Sequence, residues 1–193
     1  EMRRRIVDVA IKMFVTDGYE KVSIRNIADK IEYSPATIYL YYKDKDQLLY
    51  DVQTEAFATL AREFGEKVTH KEPFKRLEQL MWAYVQFSRD HPEFYDLMFI
   101  IKAPMNAVMQ EDKWENGDPA YDALYHLMQE CIDKKVVKFK DATIGTLSVW
   151  SFGHGFVSLH LRNRCAKVSH VTDEDMPAVV DEAIREYLRM IKA

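Results

Sequence analysis

Residues 22–49 read VSIRNIADKIEYSPATIYLYYKDKDQLL and hold the polar side chains whose spacing points most directly to a chemistry. Ser23 stands where an N-cap would open a short helix carrying Ile24, Ile27, Ala28 and Ile31, and Ser34 with Pro35 forms an N-cap and first-turn pair for a second. Two short helices a few residues apart make a helix-turn-helix, whose second helix can lie in the DNA major groove with its N-terminal side chains toward base edges. There Ile38 and Tyr42 share a face at i, i+4 spacing, which assigns Tyr42 to the core and leaves Thr37, Tyr39, Leu40 and Tyr41 around the rest. The chemistry is recognition by hydrogen bonding and apolar contact, not bond-making. No phosphate-binding Gly-rich loop, G-x-S-x-G elbow or H-E-x-x-H pair occurs, and Gly153-His154-Gly155 within a helical pattern is no dinucleotide fingerprint, so no catalytic residue is assigned.

The elements that must position this segment are helical almost throughout. Ile6, Val9, Ala10, Met13 and Phe14 repeat at three and four residues on a helix that ends at Asp17-Gly18, where Gly18 is a natural left-handed stop. Leu48, Leu49, Val52, Ala56, Phe57, Leu60 and Phe64 trace a long amphipathic helix that starts near an Asp44 N-cap and closes near Gly65. Prolines 35, 73, 92, 104, 119 and 177 sit at helix starts or junctions, giving about nine helices in an all-α chain without a sheet.

A chain of 193 residues that is 48% hydrophobic with only six glycines has enough material for a core. Its net charge of −4 argues at first against a nucleic-acid partner, since phosphate neutralisation needs Lys and Arg. The acidity is local, however: residues 1–50 carry nine Lys/Arg against eight Asp/Glu, and the remainder eighteen against twenty-three. Two cysteines, Cys131 and Cys165, and no signal-peptide pattern predict a cytoplasmic protein with reduced thiols. The longest apolar run, Leu97 to Ile101, is far short of a membrane span.

From Gly18-Tyr19 through Ser23-Ile24-Arg25-Asn26-Ile27-Ala28 to Ser34-Pro35-Ala36-Thr37-Ile38-Tyr39, then Tyr42-Lys43-Asp44-Lys45 and Leu48-Leu49, the chain resembles the DNA-binding domain of the tetracycline-repressor (TetR) family. The resemblance implies a homodimeric, ligand-responsive transcriptional regulator, usually a repressor, with a DNA-binding domain over 1–47 and a ligand-binding and dimerisation domain over 48–193. It further implies a DNA surface made by Ser23, Arg25, Ser34, Pro35, Ala36, Thr37, Tyr39, Tyr41 and Lys45. Within it Ser34 to Thr37 would face the groove, Tyr41 would reach bases or sugars, Arg25 a base edge or phosphate, and Tyr39 and Lys45 phosphates. With Pro35 and Ala36 offering only apolar contact, readout by side-chain hydrogen bonds is sparse and DNA shape contributes more. One departure stands out. The family commonly has Gly and an aliphatic residue at the turn between the two motif helices, where this chain has Glu32-Tyr33; a positive φ at Glu32 would cost roughly 1 to 2 kcal/mol.

Beyond residue 50 large apolar side chains dominate the middle helices. Tyr84, Phe87, His91, Tyr95, Met98, Met105, Trp114, Tyr125, Met128 and Trp150 are the candidates for a pocket taking a small apolar or aromatic inducer without a strong charge requirement, the bland reading being plain core. His126, Glu130 and Cys131 lie close together, but no dense His/Cys cluster accompanies them and no metal or other cofactor is assigned. The helix expected over about 141–162 contains Gly145, Gly153 and Gly155, each costing nearly 1 kcal/mol against Ala in a helix interior. Its Ser148, Ser151, Gly155 and Ser158 form a small-residue arc. With Val180, Ile184 and Tyr187 of the last helix, which a Thr172-x-x-Asp175 capping box would open, that arc is the expected dimer interface. Trp150, His154 and Gly155 also resemble a C-terminal domain type marked by Trp, His and Gly in part of the same family. The expected partners are thus a double-stranded DNA operator, an inducer and a second copy of the chain, and no membrane. A helical protein that binds another protein through its C-terminal surface stays as the second reading.

Overall fold

The computed structural model describes residues 1–101, 117–172 and 174–193. Among these the chain forms ten α-helices: α1 (Met2–Asp17), α2 (Ile24–Lys30), α3 (Pro35–Tyr39), α4 (Lys45–Lys67), α5 (Pro73–Asp90), α6 (Pro92–Phe99), α7 (Asp118–Asp133), α8 (Ala142–Leu161), α9 (Arg164–Ser169) and α10 (Met176–Ile191). A 3₁₀ turn (Tyr19–Lys21) joins α1 to α2, and the only extended pairing among the described residues is an isolated bridge between Val137 and Lys192. The all-α class is therefore as expected, with ten helices in place of about nine.

Two compact units result. The first takes Glu1–Thr59 and the described part of Glu93–Gly117; the second takes Leu60–Pro92 and the described part of Asp118–Ala193. Division by packing thus falls inside α4, whereas division by role was expected after residue 47. It also assigns nearly all of α6 to the first unit.

In the first unit, Ile6, Ala10 and Phe14 of α1, Ile27 and Ala28 of α2, Ile38 and Tyr42 around α3, Leu48, Leu49 and Val52 of α4 and Leu97 of α6 build one apolar core. Its helix ends are written locally. Gly18 closes α1 with φ 85° and ψ 143°, positive in φ but extended in ψ where a left-handed helical stop was expected. Asp44 opens α4 as predicted, its Oδ1 accepting from the Gln47 N–H at 2.8 Å while the Gln47 side chain accepts from the Lys43 N–H at 2.8 Å. The helix then runs through Gly65 to Lys67. Among the described glycines only Gly18 takes a positive φ, so Gly65 supplies no stop.

In the second unit α8 packs against α5, α7, α9 and α10, opened by Asp141 whose Oδ1 accepts from the Ile144 N–H at 2.9 Å. Two of its three glycines are explained by this packing. A Cβ on Gly145 would lie 2.8 Å from Met128 Cγ and Sδ, and one on Gly153 2.9 Å from Met81 Sδ. A Cβ on Gly155 would meet nothing within 4 Å among the described residues. On α10 the buried stripe is Met176, Val180, Ile184, Leu188 and Ile191. Val180 and Ile184, expected to face a second subunit, are 0% exposed within a single chain. Their stripe completes the chain's own core, so they offer no area to a partner.

Candidate nucleic-acid interface

Both short helices of the first unit are held by their own polar side chains. The Ser23 Oγ accepts from the Asn26 N–H at 3.2 Å while the Ser23 N–H donates to Asn26 Oδ1 at 2.9 Å, a reciprocal capping box. Ser34 caps α3, accepting from the Thr37 N–H at 3.3 Å with its Oγ 3.2 Å from Thr37 Oγ1, and Pro35 follows at the first helical position. Each cap is worth about 1 kcal/mol, enough to matter for helices this short. Ser23 and Ser34 thereby serve the fold first, and their exposed positions leave only residual capacity for DNA.

The turn between α2 and α3 carries the conformation that its departure from the family pattern put in question. Glu32 has φ 62°. The Glu32 N–H donates to the Asp29 carbonyl at 3.1 Å and the Tyr33 N–H to the Ala28 carbonyl at 3.0 Å, the paired closure of a helix that normally has glycine at this point. Arg5 buttresses it from α1, donating to the Ile31 carbonyl at 3.0 Å and lying 5.5 Å from the centroid of the Tyr33 ring. Tyr33, where the family has an aliphatic side chain, thus has a partner of its own.

Outward from this frame, α3 and the residues after it present Ala36, Tyr39, Leu40 and Tyr41 to solvent, while Pro35 and Thr37 are half-buried. Tyr39 is 56%, Leu40 82% and Tyr41 42% exposed. Arg25 on α2 is exposed and makes no side-chain hydrogen bond or ion pair among the described residues. Leu40 had no assigned role, yet it is the most exposed large apolar side chain among those described. Its signal was present in the sequence: it falls off the face shared by Ile38 and Tyr42. Tyr42 itself is 1% exposed, its hydroxyl donating to Asp51 Oδ2 at 2.7 Å beside Arg3, and burial followed by the Asp51 bond holds the phenol far above its ordinary pKa.

Lys45 is placed differently from an open phosphate ligand. Its Nζ donates to the carbonyls of Tyr19 at 2.9 Å and Val22 at 3.1 Å and sits 4.0 Å from the Tyr19 ring centroid, while the Tyr19 hydroxyl bonds Asp46. Two of its three N–H donors tie α4 to the corner before α2.

The inducer candidates divide between the units. In the second, Trp150 lies edge-on to Tyr121 at 6.3 Å and 6.5 Å from His154, Tyr121 stacks on Tyr125, and the Tyr84 hydroxyl is 3.2 Å from His154 Nδ1. His154 was not among the candidates, although it stands one turn from Trp150. Burial, then Arg162, lowers the His154 pKa, which favours a neutral imidazole. Phe87 and Met128, at 0% exposure, are core. His91 Nε2 lies 3.2 Å from Glu63 Oε1. Tyr95 and Met98 belong to the first unit, where Tyr95 packs on Phe99. Met105 and Trp114 lie outside the described residues. At the expected dimer face Ser151 is exposed, Ser148, Gly155 and Ser158 are half-buried, and Tyr187 stacks on Phe152 at 3.9 Å.

A capped helix-turn-helix at the head of an all-α chain defines a DNA-binding regulator fold. Residues 6–52 match the sequence model described as bacterial regulatory proteins, tetR family, and residues 77–187 that of the tetracyclin repressor-like C-terminal domain. The second match covers more than half of the chain, and the chain belongs to the TetR family of DNA-binding transcriptional regulators. It is 33% identical over 87 residues to the transcriptional regulator HbdR of an Aromatoleum species, covering 44% of this chain and 37% of that one. It is 26% identical over 148 residues to the transcriptional repressor KstR of Mycobacterium tuberculosis, covering 69% and 67%. The HbdR match thus spans little more than a third of that relative. Among solved structures, a TetR-family regulatory protein from Rhodococcus RHA1 superposes with a TM-score of 0.69 at 19% identity over 99% of this chain and 97% of that one. No described helix is long and apolar enough to cross a membrane.

Proposed function

We propose that the chain is a cytoplasmic homodimeric repressor that binds a pseudo-palindromic operator and is released by a small apolar or aromatic inducer. The observation that carries the DNA part is the outward face of α3, where Ala36, Tyr39, Leu40 and Tyr41 are exposed on a frame that does not need them for its own packing. Base readout falls to Ala36, Leu40, Tyr41 and Arg25, with the half-buried Pro35 and Thr37 behind them. Phosphate contact falls to Tyr39, the remaining Lys45 donor and the residual capacity of the Ser23 and Ser34 caps.

One short recognition helix makes few contacts, and a two-fold dimer puts two of them about 34 to 36 Å apart on adjacent half-sites. The face supporting that dimer is on α8. Ile144 is 62%, Leu147 45% and Leu159 51% exposed beside Ser148, Ser151, Gly155 and Ser158, and Gly155 has no packing reason among the described residues of its own chain. Tyr187 of α10 extends the reading, while Val180 and Ile184 drop out of it. The aromatic cluster of Tyr84, Tyr121, Tyr125 and Trp150 around His154, whose pKa burial lowers, supports an apolar or aromatic inducer needing one hydrogen bond. An inducer that favours a misaligned pair of α3 helices would shift the population away from the DNA-competent dimer.

The test is selection of duplexes from a random pool and from the DNA upstream of the chain's own coding sequence, followed by titration in salt. Salt-dependent, two-fold symmetric binding is expected, weakened by Arg25→Ala. A protein that selects no duplex, or that scatters as a monomer at micromolar concentration, overturns the proposal.

A further inference from the structure

We propose that Gln53 is a positioning residue for DNA binding: its buried amide holds α6 in register against α4 inside the DNA-reading unit and thereby fixes how α3 is presented. The inference rests on the DNA-binding reading above.

Gln53 continues the apolar stripe of α4, whose neighbours Leu49, Val52, Ala56 and Phe57 are all buried, and is itself only 2% exposed. Its Nε2 donates to the Leu97 carbonyl on α6 at 2.6 Å, while its Oε1 is buried without a hydrogen-bond partner among the described residues. A buried amide satisfied at one end costs stability that a leucine or methionine of similar size would not. What the amide supplies in return is direction. Leu97 stands in the last turn of α6, where carbonyls lack intrahelical donors. The N–H groups of Ile100 and Ile101 both go to Asp96, at 3.1 and 3.2 Å, and Gln53 takes the carbonyl next along.

Beside this bond α4 and α6 also make apolar contacts. The Phe57 and Phe99 rings meet edge-on at 5.6 Å, and Leu97 is part of the core shared with Ile38, Tyr42, Leu48, Leu49 and Val52. Such contacts tolerate sliding; a hydrogen bond to one carbonyl does not. Anything that shifts α6 shifts Leu97 within the core on which α3 sits. Meanwhile α4 is bonded to the rest of the reading unit through Lys45 to Tyr19 and Val22, and through Asp51 to Tyr42 and Arg3. Gln53 is therefore a point at which α6, the described helix of this unit that lies far away in sequence, is registered against the DNA-reading frame.

The experiment uses the full chain and a duplex that the wild-type protein has itself selected from a random pool. Gln53→Leu is expected to leave the melting temperature unchanged or higher, to weaken that duplex at least fivefold with an unchanged salt slope, and to speed amide exchange at Ile100 and Ile101 but not in α2. Binding within twofold of wild type overturns the proposal. So does a fall in melting temperature, or uniformly faster exchange across α1 to α3, because a merely structural glutamine gives those results. Should Gln53→Leu fail to fold, Gln53→Met is read by the same criteria, and failure of both to fold also counts against it. If wild type selects no duplex, the DNA-binding reading fails; if wild type selects one and Gln53→Leu binds it equally well, only this inference fails.

Discussion

The reading head and helix α8 reach their geometry by opposite means. Around α2 and α3 the backbone is fixed by short-range bonds from Ser23, Asn26, Ser34, Asp44 and Gln47, reinforced by Arg5 and Lys45 from flanking elements. Once these are made, Ala36, Tyr39 and Leu40 are free of structural duty. On α8 the position is fixed by side chains that are absent, at Gly145 and Gly153, and by the methionines that fill the space. In the first region the proposed base-reading residues of α3 are separate from those that cap the helices, although Ser23, Ser34 and Lys45 hold the fold and are also proposed to meet phosphates; in the second, packing leaves no such separation until Gly155.

The largest effect that would break this contrast is at α3. Ala36→Glu adds an anion to an exposed position in the first turn of a helix, where the dipole tolerates it, so the melting temperature is expected to stay within a degree or two. On the proposed base-reading face, a carboxylate brought close to the charged duplex should weaken a selected duplex by about a hundredfold or more. Thermal melting and a binding titration on one preparation check both. A parallel loss of stability would show that the reading face does serve the fold.

Next in size is the glycine series. Gly145→Ala and Gly153→Ala push a Cβ against Met128 and Met81, and each is expected to destabilise the second unit by about 1 to 3 kcal/mol in urea melts. Gly155→Ala enters open space on a helix and should stabilise the isolated chain by up to about 1 kcal/mol. It should also weaken self-association, measured by sedimentation. If all three behave alike, Gly155 has no outward role.

These differences explain what was legible in the sequence. Caps act within three or four residues, so Ser23, Ser34-Pro35 and Asp44 could be read directly, and so could the burial of Tyr42 from its i, i+4 relation to Ile38. The Lys45 bonds could not: Tyr19 and Val22 are remote in sequence, and the family position suggested a phosphate instead. On α10 a stripe of Val180, Ile184 and Tyr187 reads as apolar from any viewpoint. Periodicity alone cannot tell an inner face from one that meets a second copy. The placement of Tyr95 and Met98 in the first unit was hidden for the same reason, because α6 is continuous in sequence with helices of the second.

A smaller effect tests the turn of the reading head. Glu32 holds φ 62°, which a side chain resists and glycine does not. Glu32→Gly should stabilise the chain by up to about 1 kcal/mol, part of the relief being cancelled by the greater freedom of glycine when unfolded. Glu32→Ala keeps the strain and should give no such gain. Equal urea midpoints for the two variants would mean that the bonds to Asp29 and Ala28, with Arg5 behind them, already hold the turn without strain.

The smallest effect separates the two units by pH. All six histidines fall in the second unit and none in the first. Burial, then Arg162, lowers the pKa of His154 from 6.5, and burial, then Arg89, lowers that of His160 from 6.5 against the opposing pull of Asp181. A group whose folded pKa is depressed binds its proton first in the unfolded chain, so its contribution to stability is complete above about pH 6.5 and is lost as pH falls through the folded value. Protonation would also leave His154 Nδ1 unable to accept from Tyr84. Between about pH 7 and pH 5, amide exchange should therefore quicken in α5, α8 and α10 while α1 to α3 keep their protection. His154→Gln should flatten that response, since it keeps a polar group but removes the titration. Equal acceleration in both units would place the acid sensitivity in the carboxylates they share, not in the buried imidazoles of the second.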